Sequence, residues 1–385
     1  MMVRLVHVTT VAQSLNFLRG QAGYMRRAGI ETYAIASPSP GLDQFSVDED
    51  VPVIGVEMRR AIAPVADCVA VVRLVRILRR LRPEIVHAHT PKGGLLGMVA
   101  ATLARVPVRI YQIHGLRFDT ARGWRRAVLM ATEWVSCRLA HQVLCVSTST
   151  LTSAERAGVC AIGHGKVLGA GSINGVDAHF QFDPLRAPGR GSDIRRSLNI
   201  PTDAKVVGFV GRLVKDKGFV DLVGCWRGVR ARYPESHLLI VGAAEPDEPL
   251  PETVFAELAA DDRVHLVGWV EDPAPYYAAM NLLALPSHRE GFGLAAVEAA
   301  AMRVPVVATR INGLVDSIVD GVTGILVPPS APEELLAAIE RYLDDEDLCV
   351  DHAFAGRIRV LDKFDQGAMW KVLRGEYGEL SANCA

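Results

Sequence analysis

Short apolar runs alternate along the chain with longer stretches in which apolar positions recur every three to four residues. The runs 3–8, 32–36, 53–56, 85–87, 109–113 and 142–146 predict strands in the first half. Runs 206–210, 237–241, 264–266, 282–285, 306–308 and 324–327 predict strands in the second. Most are rich in Val and Ile, and several are continuously apolar, as parallel strands buried on both faces must be. Helical periodicity fills the gaps, for example over 69–81, 124–139 and 294–302. A βαβα rhythm of this kind predicts an α/β protein built from doubly wound sheets. The rhythm breaks at 183–205 (DPLRAPGRGSDIRRSLNIPTDAK), a polar stretch with three prolines and two glycines. It reads as a linker between two domains, 1–185 and 186–363, followed by a tail helix over 364–385.

Two domains also suit 385 residues. A chain that is 50% hydrophobic and 22% charged is neither disordered nor collagen-like. The net charge of −1 hides an asymmetry. Residues 1–185 carry 21 Lys and Arg against 13 Asp and Glu, and the remainder carries 21 against 30, so the halves stand at +8 and −9. A basic half suggests an anionic partner such as phosphates or a membrane surface. The seven cysteines, at 68, 137, 145, 160, 225, 349 and 384, include no C-x-x-C pair and are odd in number. That predicts free thiols in a reducing cytosol. The segment MMVRLVHVTT has no signal-peptide pattern. The longest apolar run, 95–104, is about half the ~20 residues a membrane-spanning helix needs.

Two segments carry candidate chemistry. At 286–301 (PSHREGFGLAAVEAAA) a strand ends, Glu290-Gly291-Phe292-Gly293 forms a turn, and a helix begins near Leu294. Glycines at a strand-to-helix turn let backbone N–H groups approach an anion. Glu290 on the loop and Glu298 about one turn into the helix can both face one ligand and accept from sugar or ribose hydroxyls. At 208–218 (GFVGRLVKDKG) a strand runs into Gly211, Arg212 and Lys217. Arg as a fork and Lys as a point charge suit a diphosphate, although solvated cations on a loop would read the same way. No G-x-G-x-x-G dinucleotide fingerprint is present.

Together these segments resemble family 4 of the glycosyltransferases. The likeness is strongest at GRLVKDKG (211–218), PSHREGFGLAAVEA (286–299) and DGVTGILVP (320–328), with NGVD at 174–177. The motifs IVHAHTPKGG (85–94) and IHGLRF (113–118) resemble a subgroup that builds bacterial surface polysaccharides and glycolipids on lipid-diphosphate carriers. The resemblance implies a GT-B fold, two Rossmann-like domains facing across a cleft, with the tail helix returning to the N-terminal domain. It implies a retaining, metal-independent transfer from a nucleoside-diphosphate sugar, UDP-sugar foremost, to a lipid-linked or saccharide acceptor. No cofactor is expected; the nucleotide sugar is a co-substrate.

Residue roles follow from the same resemblance. Arg212 and Lys217 hold the donor diphosphate and stabilise the leaving group. Glu290 contacts the donor sugar, the backbone of Gly291, Phe292, Gly293 and Leu294 with Gly211 meets sugar and phosphate, and Glu298 takes the ribose hydroxyls. His114 is the catalytic histidine of the N-terminal domain; its plainer reading is a strand-end histidine satisfied by backbone. The family's Gly-Gly pair after the first strand is missing from the loop Thr9–Asn16, which leaves Arg19 as a candidate replacement.

On the acceptor side, Lys92 before Gly93-Gly94 predicts a second anion site at a helix start, with Arg19 and Arg117 as further contacts. The acidic triplets Asp48-Glu49-Asp50 and Asp345-Glu346-Asp347 match D-x-D but do not follow a buried strand, so no metal site is expected there. Arg73, Arg76, Arg79, Arg80 and Arg82 stud a helix whose other side is Val72, Val75, Leu78 and Leu81. Arg59, Arg60, Arg117, Arg122, Trp124, Arg125 and Arg126 add to this basic surface. It can dock on an anionic membrane or be an ordinary solvated face. The expected location is cytoplasmic, peripheral on the inner membrane face. Competing readings are a sugar-nucleotide 2-epimerase of the same fold, a transferase acting on a soluble small acceptor, and a non-catalytic sugar-nucleotide binder. The intact Glu290, Arg212, Lys217 and His114 count against the last. Nucleic-acid binding is excluded by the 6% aromatic content and the acidic second half.

Overall fold

The structure, a computed structural model, describes residues 2–186, 188–245 and 247–384, with only the backbone of Asn383 and Cys384. The chain divides into two compact units, Met1–Gly175 with Gly367–Ala385, and Val176–Gln366. In the first unit seven strands form one sheet: β1 (Val3–Val8), β2 (Ile30–Ala36), β3 (Val53–Gly55), β4 (Ile85–His89), β5 (Val108–Ile113), β6 (Gln142–Cys145) and β7 (Gly165–Val167). Their spatial order is β3-β2-β1-β4-β5-β6-β7. The second unit has β8 (Val206–Val210), β9 (His237–Val241), β10 (Val264–Gly268), β11 (Leu282–Leu285), β12 (Val306–Thr309) and β13 (Ile325–Val327), in the order β10-β9-β8-β11-β12-β13. Every strand pair described in either sheet is parallel.

Strand periodicity located twelve of these strands to within a few residues. It missed β7, a three-residue edge strand reading Gly-Lys-Val, too short and too polar to show alternation. The helix over 294–302 starts at Leu294 as expected, whereas those over 69–81, 95–104 and 124–139 begin earlier than their apolar patterns, as Pro64–Leu81, Pro91–Leu103 and Gly123–Leu139. In the first two, Pro occupies the first turn, where its missing N–H costs nothing. These three helices pack side by side on one face of the first sheet, over a core that includes Val8, Ala88, Leu74, Leu96 and Tyr111. The tail helix Gln366–Cys384 belongs to the other face, where Met369, Leu373 and Tyr377 bury against Leu5, Ile85 and Ile110.

The stretch 183–205 is not a free linker. It contains the helix Arg190–Ser197 and is docked on the second unit. The Arg195 guanidinium donates to the carbonyls of Ala279 and Ala204 and to the Asn281 side chain, at 2.8–2.9 Å. The division falls ten residues earlier than expected, at Gly175/Val176. There Val176 pairs with the returning chain, donating to Phe364 and accepting from Gln366. Composition marks the turns, and tertiary hydrogen bonds decide where the division lies.

The Lys92-Gly93-Gly94 segment is likewise reassigned. All three residues lie inside the first turn of the helix Pro91–Leu103. A Cβ on Gly94 would sit 2.1 Å from the ring of buried Tyr111, and one on Gly93 2.9 Å from the Thr10 backbone nitrogen. The Gly93 N–H donates to Thr10 Oγ1 and the Gly94 N–H to the Thr90 carbonyl. These glycines let the helix approach the sheet, and their amides already have acceptors. Gly94→Ala therefore forces the Tyr111 ring to move, and overpacking of this kind costs about 1–3 kcal/mol. The expected result is a lower thermal midpoint; an unchanged midpoint would mean that the close approach is not needed.

Candidate active site

Each sheet reverses its strand order once, between β1 and β4 in the first unit and between β8 and β11 in the second. Loops leaving the carboxyl ends of two such strands diverge and open a crevice, where open α/β sheets bind ligands. Nearly all of the candidate residues lie at these two positions.

In the second unit, Gly211 and Arg212 follow β8 directly, and the loop from Pro286 to Gly293 follows β11. Backbone contact locks the two loops together. Gly218 has φ +66°, and a Cβ there would lie 1.8 Å from the Pro286 carbonyl oxygen, so no side chain fits. The amides of His288 and Arg289 donate to the Asp216 carbonyl, and the Arg289 guanidinium to the Asp216 carboxylate. This interlock sets Lys217 against Glu290: the Lys217 ammonium is 2.5 Å from Glu290 Oε1. The Ser287 hydroxyl donates to the same oxygen at 3.1 Å. Arg212 is half-exposed, with Glu245 3.9 Å away. Gly293, at φ +81°, caps the helix Leu294–Ala301, which aims its first amides at the same region. The Phe292 side chain is buried edge-on against Phe364, so only its backbone can meet a ligand. Glu298 Oε2 accepts from the Tyr277 hydroxyl at 2.9 Å. Burial pushes the Glu298 carboxyl up to about 7, against the pull of that hydrogen bond.

In the first unit, His114 stands at the carboxyl end of β5, two residues past Gln112. It is not satisfied by backbone. Its Nε2 lies 3.0 Å from Nδ1 of His89 on β4, and its ring stacks on Phe17 at 5.4 Å. Its Nδ1 is buried without a hydrogen-bond partner. Burial lowers the ring to about 3, so it is neutral at neutral pH. His89 in turn lies 2.9 Å from His7 on β1. His87 is held by the Tyr377 hydroxyl of the tail helix and by Gln112 Oε1. His7, His87 and His89 converge closely enough for a cation, but both nitrogens of His87 are occupied by these bonds.

The acceptor-side predictions fare differently. Lys92 is turned inward: its ammonium pairs with Asp67 at 2.8 Å and donates to the Ala61 carbonyl. It pins the helix Pro64–Leu81 to its neighbour and is not an open anion contact. Arg19 lies 4.0 Å from Asp48, and Arg117 is exposed on the turn Arg117–Asp119. The acidic triplets have local partners. Glu49 accepts from the Gly20 amide, Asp50 pairs with Arg26, and Asp345 caps the helix Glu346–Lys363 through the Leu348 amide. Ser287, Tyr277, His7 and His89 escaped the sequence reading. The H-x-H of β4 was the one available signal, since a spacing of two turns both rings to the same face.

Comparison with known proteins adds to this geometry. Residues 16–162 match the family model described as glycosyl transferase 4-like domain, and residues 204–345 match the one described as glycosyl transferases group 1. The chain is 31% identical over 375 residues to the capsular polysaccharide biosynthesis glycosyltransferase CapM of Staphylococcus aureus, covering 97% of this chain and 96% of the relative. The chain is a family 4 glycosyltransferase. It is also 27% identical, over 75% of its length and 74% of the relative, to the UDP-Gal:alpha-D-GlcNAc-diphosphoundecaprenol alpha-1,3-galactosyltransferase of Escherichia coli. The fold is that of Anabaena Alr3699/HepE, solved in complex with UDP-glucose. The TM-score is 0.81 at 20% identity, and the match covers 98% of this chain and 99% of that one. The glycosyltransferase thus has the expected GT-B architecture of two parallel α/β sheets.

In this glycosyltransferase the Glu298 carboxyl makes stability depend on pH. Its folded pKa is about 7 against an ordinary 4.5, so between these values the folded state keeps a proton that the unfolded state has lost. Stability therefore falls as pH rises through that window. Glu298→Gln keeps an acceptor for Tyr277 and removes the titration. Its thermal midpoint should fall less between pH 5 and 7.5 than that of the wild type. Equal pH dependence in the two proteins would place the extra proton elsewhere.

Proposed function

We propose that this glycosyltransferase moves a hexose from a UDP-sugar to a lipid-diphosphate-linked or saccharide acceptor in surface polysaccharide or glycolipid synthesis, with retention of anomeric configuration and without a metal ion. The observation that carries the reading is the Lys217–Glu290 pair at the strand reversal of the second sheet, with Lys217 on the same loop after β8 as Arg212. The names of CapM and of the E. coli galactosyltransferase support the acceptor class, and the UDP-glucose complex of HepE supports the donor class.

In this reading the donor diphosphate takes over the Lys217 ammonium, with Arg212 as the second cation and the amides at Gly293 and Leu294 facing the phosphates. Two fixed cations supply the charge that a divalent ion supplies elsewhere. Glu290, released from Lys217, accepts from hydroxyls of the donor sugar. Glu298 accepts from the ribose hydroxyls and sheds its proton as they bind. The His114 Nδ1 meets a sugar hydroxyl. Reaction follows on the front face. The bond from the anomeric carbon to the phosphate oxygen breaks, the acceptor oxygen bonds to that carbon on the same side, and the acceptor's proton passes to the departing phosphate. Transfer of sugar from UDP-hexoses to a polyprenyl-diphosphate saccharide, assayed with excess EDTA, tests the reading. Product with the donor's anomeric configuration by NMR is expected. Lys217→Ala should lower kcat at least a hundredfold, since losing such a contact costs on the order of 3 kcal/mol. An inverted product, restoration only by Mg²⁺, or epimerised donor formed without acceptor would each replace it.

The first unit is proposed to sit on the inner face of the cell membrane, where a lipid-linked acceptor is available. Among the described residues no helix is long and apolar enough to cross a membrane. The face opposite the tail helix is suited to lying on one. On the helix Pro64–Leu81 the buried stripe is Ala70, Leu74 and Leu78, not the side that includes Val72. Val65, Val69 and Val72 are exposed among the arginines. On the helix Gly123–Leu139, Trp124 is 67% and Trp134 51% exposed, flanked by Arg122, Arg125, Arg126 and Arg138. Tryptophan at headgroup depth with arginine beside it is the pattern of an interfacial helix. Binding to liposomes with anionic lipid should exceed binding to neutral ones and fall with salt, each basic residue being worth about 1 kcal/mol. Trp124→Ala with Arg125→Glu should weaken it while UDP binding persists. Wild-type protein that ignores anionic liposomes at low salt would favour a soluble acceptor.

A further inference from the structure

Three histidines on three adjacent strands form one hydrogen-bonded line. His7 Nδ1 is 2.9 Å from His89 Nε2, and His89 Nδ1 is 3.0 Å from His114 Nε2. β1, β4 and β5 are neighbours in the sheet, and the side chains share the face covered by the tail helix. The line ends at His114 Nδ1, a buried nitrogen with no partner. An orphaned polar atom inside a protein costs free energy that a ligand hydroxyl would return. His7 and His89 are wholly enclosed, and burial keeps all three rings neutral at neutral pH.

A neutral imidazole has one N–H and one lone pair. Two successive hydrogen bonds between neutral rings must therefore run in the same direction. If His7 donates, His89 donates from Nδ1, and His114 accepts at Nε2 and carries its proton on Nδ1. If His114 donates from Nε2, its Nδ1 is a bare acceptor, and His89 and His7 follow with their protons on Nε2. The character of the free nitrogen is thus decided two rings away.

We propose that His7 and His89 are positioning residues that fix the tautomer of His114, so that its Nδ1 alone faces the ligand and is a donor or an acceptor according to the state of the whole line. The proposal rests on the reading that His114 meets a hydroxyl of the reacting sugars.

Nitrogen-15 NMR of histidine-labelled wild-type protein tests the line without any substitution. His7, His89 and His114 should be neutral and should share one tautomer, all protonated on Nδ1 or all on Nε2. Unlike tautomers within the three, or a charged ring at neutral pH, would overturn it. Kinetics test its use. His7→Leu makes no contact with the ligand, yet should lower kcat about tenfold with little change in the KM for the donor. His7→Asn, whose amide can donate or accept where Nδ1 stood, should recover most of that loss. In a His89→Leu background, His7→Leu should have no further effect on kcat. Losses that multiply in the double variant, with wild-type-like thermal midpoints, would overturn the coupling. His114→Ala separates the two layers: wild-type turnover there would remove the underlying site reading. Loss of turnover there together with full activity in His7→Leu would remove only the relay.

Discussion

Parallel strands buried on both faces leave almost nowhere for polar chemistry except their carboxyl ends. That constraint organises this protein. Both sheets are covered by helices, their strand interiors are largely apolar, and the ladder absorbs the backbone groups. Loops at the carboxyl ends are free to carry charge, and only where strand order reverses do two of them diverge enough to admit a ligand. The loops that carry Lys217 and Glu290 follow β8 and β11, and His7 and His89 lie near the carboxyl ends of the corresponding β1 and β4, because the same topology was built twice.

Within that frame, close backbone approach does the fine positioning. Gly218 against the Pro286 carbonyl holds two loops in one register, and the Lys217–Glu290 pair is a consequence. The pair is a resting arrangement of two groups that the proposed chemistry uses separately. It keeps a partly buried ammonium and carboxylate neutralised; in the proposed chemistry a diphosphate and a sugar hydroxyl would offer each a replacement. Glu298 illustrates another solution to the same problem: the carboxyl is held near neutrality by burial and hydrogen-bonded to Tyr277.

The first unit shows how a polar cluster survives inside a sheet. His7, His87, His89 and His114 occupy positions that would otherwise be Val or Ile. They are tolerated because six of their eight ring nitrogens have a partner, from another imidazole, Tyr377 or Gln112. Tyr377 comes from the far end of the chain, so the tail helix seals the apolar half of this face and also completes its polar half.

The sequence alone determined the strand and helix alternation, the two-domain α/β class and the strand-to-helix loops that carry Lys217 and Glu290. These are local matters: apolar runs, helix periodicity, and glycines at strand-to-helix turns. Lys217 and Glu290 were legible for the same reason, each lying within a short motif at the end of a strand. Tertiary structure decided the rest. Lys92 read as an anion contact because its neighbours are glycines, but those glycines serve helix-to-sheet packing, and the ammonium is claimed by Asp67, 25 residues earlier. The stretch 183–205 read as a linker because prolines and glycines mark turns without saying what the turns rest on. The histidine line joins residues 7, 89 and 114, whose adjacency depends on the order β1-β4-β5. Periodicity along a chain records which face a residue is on, but not which strand lies beside it, and it is the neighbouring strand that turns three buried imidazoles into one hydrogen-bonded path.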